Sequence, residues 1–226
     1  MRTPTPRDAT AYARRRMVDR LRKEGIRDER VLDVMEQIPR HLFVRTHLRP
    51  QAYSRHALPI EEGQTISQPF AVARMTELLA VDTECSVLEI GSGSGYQTVV
   101  LAYLARAVWS LERIPLLARK AIERIRLFEL DNVKIQAFDG TVGWSEWAPY
   151  DRILVTAGAP GPPRPLVEQL RPGGRMVIPE GEREGQHLVV YDKTADGSLR
   201  REVAGPAQFV PLLGRHGWPV DDKTKA

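Results

Sequence analysis

Val87-Leu88-Glu89-Ile90-Gly91-Ser92-Gly93-Ser94-Gly95-Tyr96 is the stretch that decides the fold class. A short apolar run ends on three glycines at alternate positions, and a second apolar run opens at Tyr96. The pattern predicts a buried strand over Ser86–Ile90, a tight turn over Gly91–Gly95 and a helix from Tyr96 to Arg106. Lacking side chains, such a turn lets a ligand approach the backbone closely at the C-terminal edge of the strand, where open α/β sheets bind their ligands. The spacing is GxGxG, not the GxGxxG of a dinucleotide fingerprint, and an acid, Glu89, precedes the first glycine.

Strand and helix alternate on both sides of this stretch. A helix at about 70–80 precedes it. Ala107–Leu111 reads as a second strand, 115–130 as a helix opened by Pro115, Asn132–Phe138 as a third strand and Asp151–Thr156 as a fourth. Pro165–Leu170 reads as helix and Gly174–Pro179 as a fifth strand. His187–Asp192 and about Leu199–Val210 follow as strands, with Asp196-Gly197 as the hairpin turn. The expectation is an α/β, Rossmann-like, mostly parallel doubly wound sheet with an antiparallel C-terminal edge. Upstream, two helices are expected, over Thr10–Gly25 and from Asp28 to just before Pro39. Residues 39–69 hold four prolines among apolar and aromatic residues, and read as a long ordered loop with a function. The chain thus divides into a flexible basic leader (1–12), N-terminal helices with a covering loop (13–69), an α/β domain (70–214) and a C-terminal tail (215–226).

Composition removes several function classes. With 226 residues the chain can bury a large core without disulfides or structural metals. Cys85 is alone, and His41, His47, His56, His187 and His216 form no HxxxH pair, so no metal site is expected. No apolar run reaches the ~18 residues of a membrane span, and the first residues lack a signal-peptide core. A reducing, cytoplasmic compartment is expected, with no membrane partner. The formal charge of +4 sits in residues 1–30, which hold ten Lys/Arg against five Asp/Glu. That arm is weak evidence for polyanion binding, and no basic patch interleaved with aromatics recurs later, so nucleic acid is not the expected partner.

The acid before the glycines, together with GxGxG, resembles motif I of S-adenosylmethionine-dependent methyltransferases. Glu112, at the end of the second strand, would accept hydrogen bonds from ribose hydroxyls. Asp139-Gly140, after the third strand, would place a carboxylate on the adenine amino group, though a DG pair also serves as a plain turn. Pro59-Ile60-Glu61-Glu62-Gly63-Gln64-Thr65-Ile66-Ser67-Gln68-Pro69 is the second informative stretch. Ser67 has no GxSxG elbow and no evident histidine partner, which argues against an acyl-enzyme nucleophile. On chemistry alone it serves equally well as a cap of the helix starting near Pro69.

From about residue 17 to 214 the chain resembles the protein-L-isoaspartate O-methyltransferase family. The resemblance rests on Gly63 to Pro69 (GQTISQP), Val87 to Gly95 followed by Tyr96-Gln97, Asp139-Gly140, and Phe209-Val210-Pro211-Leu212. GxGxG points only to the cofactor, whereas TISQP with the terminal FVPL is specific to the family. The resemblance implies the Rossmann-like methyltransferase fold and S-adenosylmethionine, without metal. It implies cofactor contacts from Gly63, Gln64, Thr65, Gly91, Ser92, Gly93, Gly95, Glu112, Asp139 and Gly140. It implies Ser67 as the active-site serine, with substrate held by Ile66, Ser67, Gln68, Thr156 and Ala157. The substrates implied are damaged proteins and peptides containing L-isoaspartate, handled by a monomer. Phe138 stands where a glycine often precedes DG, and Gly158 replaces an alanine, which is expected to loosen the wall of the substrate channel. Two rivals stand beside this reading: a methyltransferase for RNA or a small molecule, and a cofactor-binding protein without repair activity.

Overall fold

The computed structural model describes residues 10–219. The leader 1–9 and residues 220–226 lie outside the described residues. Helix α1 (Ala11–Lys23) turns Met17, Val18 and Leu21 inward, and Gly25 follows it at φ +105°. Asp28 caps α2 (Glu29–Gln37) by accepting from Arg30 N at 3.0 Å, and the helix stops before Pro39. The loop expected over 39–69 has structure of its own. Two short 3-10 helices, Arg40–Phe43 and Thr46–Gln51, lead to a small antiparallel ladder of β1 (Leu58–Pro59) and β2 (Thr65–Ile66). Strands of two residues leave no alternation to read, so the sequence pattern was silent there. Helix α3 (Pro69–Leu79) follows at once.

The glycine stretch folds as read. Strand β3 (Ser86–Ile90) is buried at every residue, and α4 (Tyr96–Leu104) leaves the turn. Then come β4 (Ala107–Glu112), α5 (Pro115–Ile125), β5 (Val133–Ala137), β6 (Tyr150–Val155), α6 (Arg164–Gln169), β7 (Leu170–Glu180), β8 (Gln186–Lys193) and β9 (Leu199–Ala207). Helix α5 ends five residues earlier than expected, in a single turn at Arg126–Phe128 closed by Glu129 at φ +52°. Strand β7 starts four residues earlier than expected, with Pro172-Gly173-Gly174 absorbed in an irregularity of its pairing with β6.

The seven strands lie in the order β5-β4-β3-β6-β7-β8-β9. Pairing is parallel from β5 to β7 and antiparallel for β7-β8 and β8-β9, the expected antiparallel edge. From β3 the chain builds outward to β4 and β5, then returns to β6 on the other side. The C-terminal ends of β3 and β6 therefore flank the switch point, where such sheets open a crevice. Met17, Leu32, Met35 and Phe43 share one core with Val87, Val99, Leu154 and Val177. The segments 13–69 and 70–214 are thus packed as one body. The opposite face joins Leu88, Ile90, Ile153 and Met176 with Leu166 of α6.

Beyond residue 214 the chain is held to the sheet end as far as the described residues run. Arg215 N donates to Asp139 Oδ2 (2.8 Å), His216 N to Thr141 Oγ1 (3.0 Å), and Trp218 bridges to Leu213. Gly158, expected to loosen the channel wall, does the opposite. It donates to Val210 O (2.8 Å) and accepts from Leu212 N (2.7 Å), and the Gln186 amide fills the space a side chain would take. That amide in turn accepts from Phe209 N (2.9 Å) and donates to Phe209 O (3.1 Å). A Cβ on Gly158 would lie 2.5 Å from Gln186 Cδ. Gly158→Ala should therefore cost about 1–3 kcal/mol in urea unfolding. Combining it with Gln186→Ala should recover part of that loss, and additive losses would refute the packing argument.

Candidate active site

At the switch point lies a cavity of about 580 Å³. Its floor is the turn Gly91–Ser94, one wall is Leu111–Pro115 with Leu117, the other is Thr156, Ala157 and Val210–Leu213, and its roof is Glu62–Ser67. The turn is held from both neighbouring strands. Glu112, at the end of β4, accepts from Gly93 N through Oε2 and from Ile114 N through Oε1, each at 2.9 Å. Thr156, just past β6, sets its hydroxyl 2.7 Å from Gly91 O and 2.9 Å from Ile90 O. Gly91 takes φ +95°, and a Cβ there would collide with that hydroxyl.

The donor and acceptor set suits an adenosyl cofactor. A carboxylate offers about four lone-pair sites, so Glu112 keeps capacity for two hydroxyl donors beyond its backbone bonds. Ser92 Oγ and Tyr96 Oη border the cavity, are buried, and lack partners among the described residues. Buried polar groups are rarely left so without a ligand to meet them. Burial raises the Glu112 carboxyl above its ordinary range, against the lowering effect of its two backbone donors. Glu89 lies fully buried on β3, off the cavity, accepting from Thr98 Oγ1 and Ser110 Oγ at 2.6 Å each. Its Oε1 has no partner, and burial pushes the group up to about 7.

The roof brings in the second stretch of the sequence. Gly63, Gln64, Thr65, Ile66 and Ser67 all border the cavity. Gln68 is the N-cap residue of α3, and no side chain caps that terminus, so Ser67 does not cap the helix. The Ser67 carbonyl accepts from Arg40 at 2.7 Å. The hairpin is tied down by Lys120 Nζ on Glu61 Oε1 (2.5 Å) and by Arg45 donating to Ile60 O (2.6 Å).

Three residues expected in the site do not border this cavity. Gln68 is exposed and faces a separate groove beside Arg20, Arg55 and Phe70. Gly95 instead lets α4 pack against α5, where a Cβ would sit 3.3 Å from Ala121. Asp139 accepts from Thr141 N (2.9 Å), Thr141 Oγ1 (2.7 Å) and Arg215 N (2.8 Å), which turns its carboxylate toward the chain, and only Gly140 of that pair reaches the cavity. Sequence reading missed Arg40 and the clamping role of Thr156. The partners of both are far away in sequence, and no local spacing signals them. Among the described residues no group of three His, Cys, Asp or Glu is placed to hold a metal, and no helix is long and apolar enough to cross a membrane.

Comparison with known proteins agrees with this geometry. The family profile of protein-L-isoaspartate(D-aspartate) O-methyltransferase matches residues 12–217. A protein-L-isoaspartate O-methyltransferase of Trichlorobacter lovleyi is 50% identical over 210 residues, 92% of this chain and 97% of its own. One from Dictyoglomus turgidum is 49% identical over 207 residues, 92% of this chain and 94% of its own. Among solved structures, a protein-L-isoaspartate O-methyltransferase superposes with TM-score 0.82 at 27% identity, covering 90% of this chain and 67% of its own. A Plasmodium falciparum protein assigned to the same activity, solved with S-adenosyl-L-homocysteine, gives TM-score 0.76 at 27% identity, covering 88% of this chain and 98% of its own.

The buried acid makes a pH-dependent prediction. Glu89 ionises near ~4.3 in an unfolded chain and near 7 in the folded one. Between those values the folded state keeps a proton that the unfolded state has released, so stability falls as pH rises from about 4.5 to 7. Glu89→Gln removes this slope. Urea unfolding at pH 5 and pH 8 should show the variant gaining about 2–3 kcal/mol on the wild type between the two. A pH-independent difference would mean that Glu89 is charged throughout.

Proposed function

The chain belongs to the protein-L-isoaspartate(D-aspartate) O-methyltransferase family, and from that premise we propose how its own residues divide the work. It is an S-adenosylmethionine-dependent carboxyl methyltransferase that esterifies the free carboxylate of L-isoaspartyl residues in damaged proteins and peptides. The following backbone nitrogen attacks the ester carbonyl and methanol leaves, so a succinimide forms, and its hydrolysis returns part of the product to aspartate. The observation that carries the assignment of roles is that one cavity joins the glycine turn to the Gly63–Ser67 roof.

In this reading Gly91, Ser92, Gly93, Glu112 and Gly140 hold S-adenosylmethionine, with Gly63, Gln64 and Thr65 closing over it. Ile66, Ser67, Thr156 and Ala157 bound the space left for the isoaspartyl side chain. The bound cofactor supplies a methyl group on a sulfonium, an electrophile that needs no acid from the protein. An isoaspartyl carboxylate titrates near ~3.5–4, so it is an anion at neutral pH and no base is needed either. This fits a cavity bordered by no histidine or cysteine. The protein's task is to strip water from the carboxylate and aim one of its oxygens. The Ser67 hydroxyl, with no hydrogen bond of its own among the described residues, is placed to donate to the other oxygen. The reading also takes the protein to act as a cytoplasmic monomer without nucleic acid, in keeping with its single free thiol, the buried Cys85.

The test is single-turnover transfer to an isoaspartyl peptide at saturating S-adenosylmethionine, beside the same peptide carrying aspartate. Only the isoaspartyl peptide should be methylated, at a rate nearly flat from about pH 6 to 8. Ser67→Ala should slow the step tenfold or more without adding pH dependence and without lowering the melting temperature. A bell-shaped profile centred near ~6.5, or equal rates on both peptides, would refute this division of roles.

A further inference from the structure

Arg40 is fully buried, the largest side chain to be so, in the single turn that follows Pro39. Among the described residues no carboxylate pairs with it, and Tyr96 and Tyr53 are the ring-bearing neighbours of its charge. Burial lowers the guanidinium to about 10, so it is still cationic at neutral pH. It reaches three segments at once. Nε donates to Ala52 O at 2.8 Å, Nη2 donates to Ser67 O at 2.7 Å, and the guanidinium carbon lies 4.8 Å from the centre of the Tyr96 ring. Nη1 is buried with no partner.

A buried cation without a counter-charge is costly, and an apolar side chain of similar volume would commonly serve stability as well or better. The contacts give the reason for keeping it. Ser67 belongs to the roof and Tyr96 is the first residue of α4, directly after the glycine turn, and both border the cavity. Arg40 therefore spans the joint between the substrate side and the cofactor side. The planar fork suits this joint, because two carbonyls and one ring face are met by a single rigid group.

Resting on the reading of Ser67 as the residue that orients the carboxylate, we propose that Arg40 is its positioning residue. Through the Ser67 carbonyl it fixes the serine against the Tyr96 end of the cofactor turn. Its unneutralised charge makes the substrate side of the cavity electropositive, which favours an anionic side chain there over a neutral one. Geometry and charge are separable: the fork aims the serine and acts on kcat, and the charge attracts the carboxylate and acts on KM.

Arg40→Lys keeps the charge and loses the fork, whereas Arg40→Met loses both. Each variant is assayed with an isoaspartyl peptide, and its affinity for S-adenosyl-L-homocysteine is measured by calorimetry. Arg40→Lys should lower kcat tenfold or more and leave KM within threefold. Arg40→Met should lower kcat similarly and raise KM tenfold or more. Both should bind S-adenosyl-L-homocysteine within threefold of wild type, since the glycine turn and Glu112 are untouched. The proposal is overturned if both variants keep kcat and KM within twofold, if KM rises equally in the two, or if affinity for S-adenosyl-L-homocysteine falls in step with activity. Should Arg40→Met not fold, the kcat, KM and affinity of Arg40→Lys decide. A wild-type protein inactive on the peptide would instead sink the functional reading, before any variant is made.

Discussion

Gly91 has to pass directly beneath the Thr156 hydroxyl, and the site is built around that constraint. The chain leaves β3 between two parallel neighbours, and each neighbour contributes one side chain to the turn. Glu112 from β4 satisfies Gly93 N, and Thr156 beyond β6 donates from its backbone N to Ile90 O and from its hydroxyl to Gly91 O. The turn is thereby fixed by the sheet order as well as by its own bond from Gly95 N to Ser92 O. This explains why a stretch so rich in glycine, with three residues at positive φ, can present a defined surface to a ligand.

Charge in the interior is sorted by side. Below and beside the turn lie Glu89 and Glu112, both raised by burial above the ordinary carboxylate range. Under the roof lies Arg40, a cation with no acid beside it. A substrate's negative carboxylate would meet the Arg40 cation on its own side, while the two acids, whose neutral forms burial favours, add little charge to meet a cofactor's positive sulfonium. The transfer then joins the two charges into neutral products, a change that a dry cavity favours and that water would resist. The hairpin over the cavity is held by Glu61 on Lys120 of α5 and by the Ile60 carbonyl on Arg45, so the water-excluding roof is tied to both halves of the chain.

The fold was legible because its signals are local. Alternating strand and helix, the Pro115 start, the Asp28 cap and the Asp196-Gly197 turn each depend on a few consecutive residues. The glycine turn was legible for the same reason. Asp139 shows where this stops. A DG pair at the end of a strand has the right chemistry for a base, but its carboxylate also accepts from Thr141 and from Arg215, whose distance in sequence conceals the bond. Ser67 had two readings of equal merit until the N-cap of α3 was seen to be Gln68. Arg40 was invisible, because nothing in a sequence marks an arginine that will be buried without an acid.

The C-terminal segment shows how one side chain can reach across the sheet to hold a wall of the cavity. Gly158 has no side chain, and the space beside it is occupied by the Gln186 amide. That amide pairs with both backbone groups of Phe209, while Gly158 itself pairs with Val210 and Leu212. Phe209–Leu212 is therefore held in register from two sides, by the Gln186 amide and by the Gly158 backbone. Since Val210–Leu213 forms a wall of the cavity, that pairing makes the wall depend on β8, two strands away from β6. The antiparallel edge of the sheet thus has a part in the site. It carries Gln186, and without that side chain Phe209–Leu212 would lose the anchor that aims it.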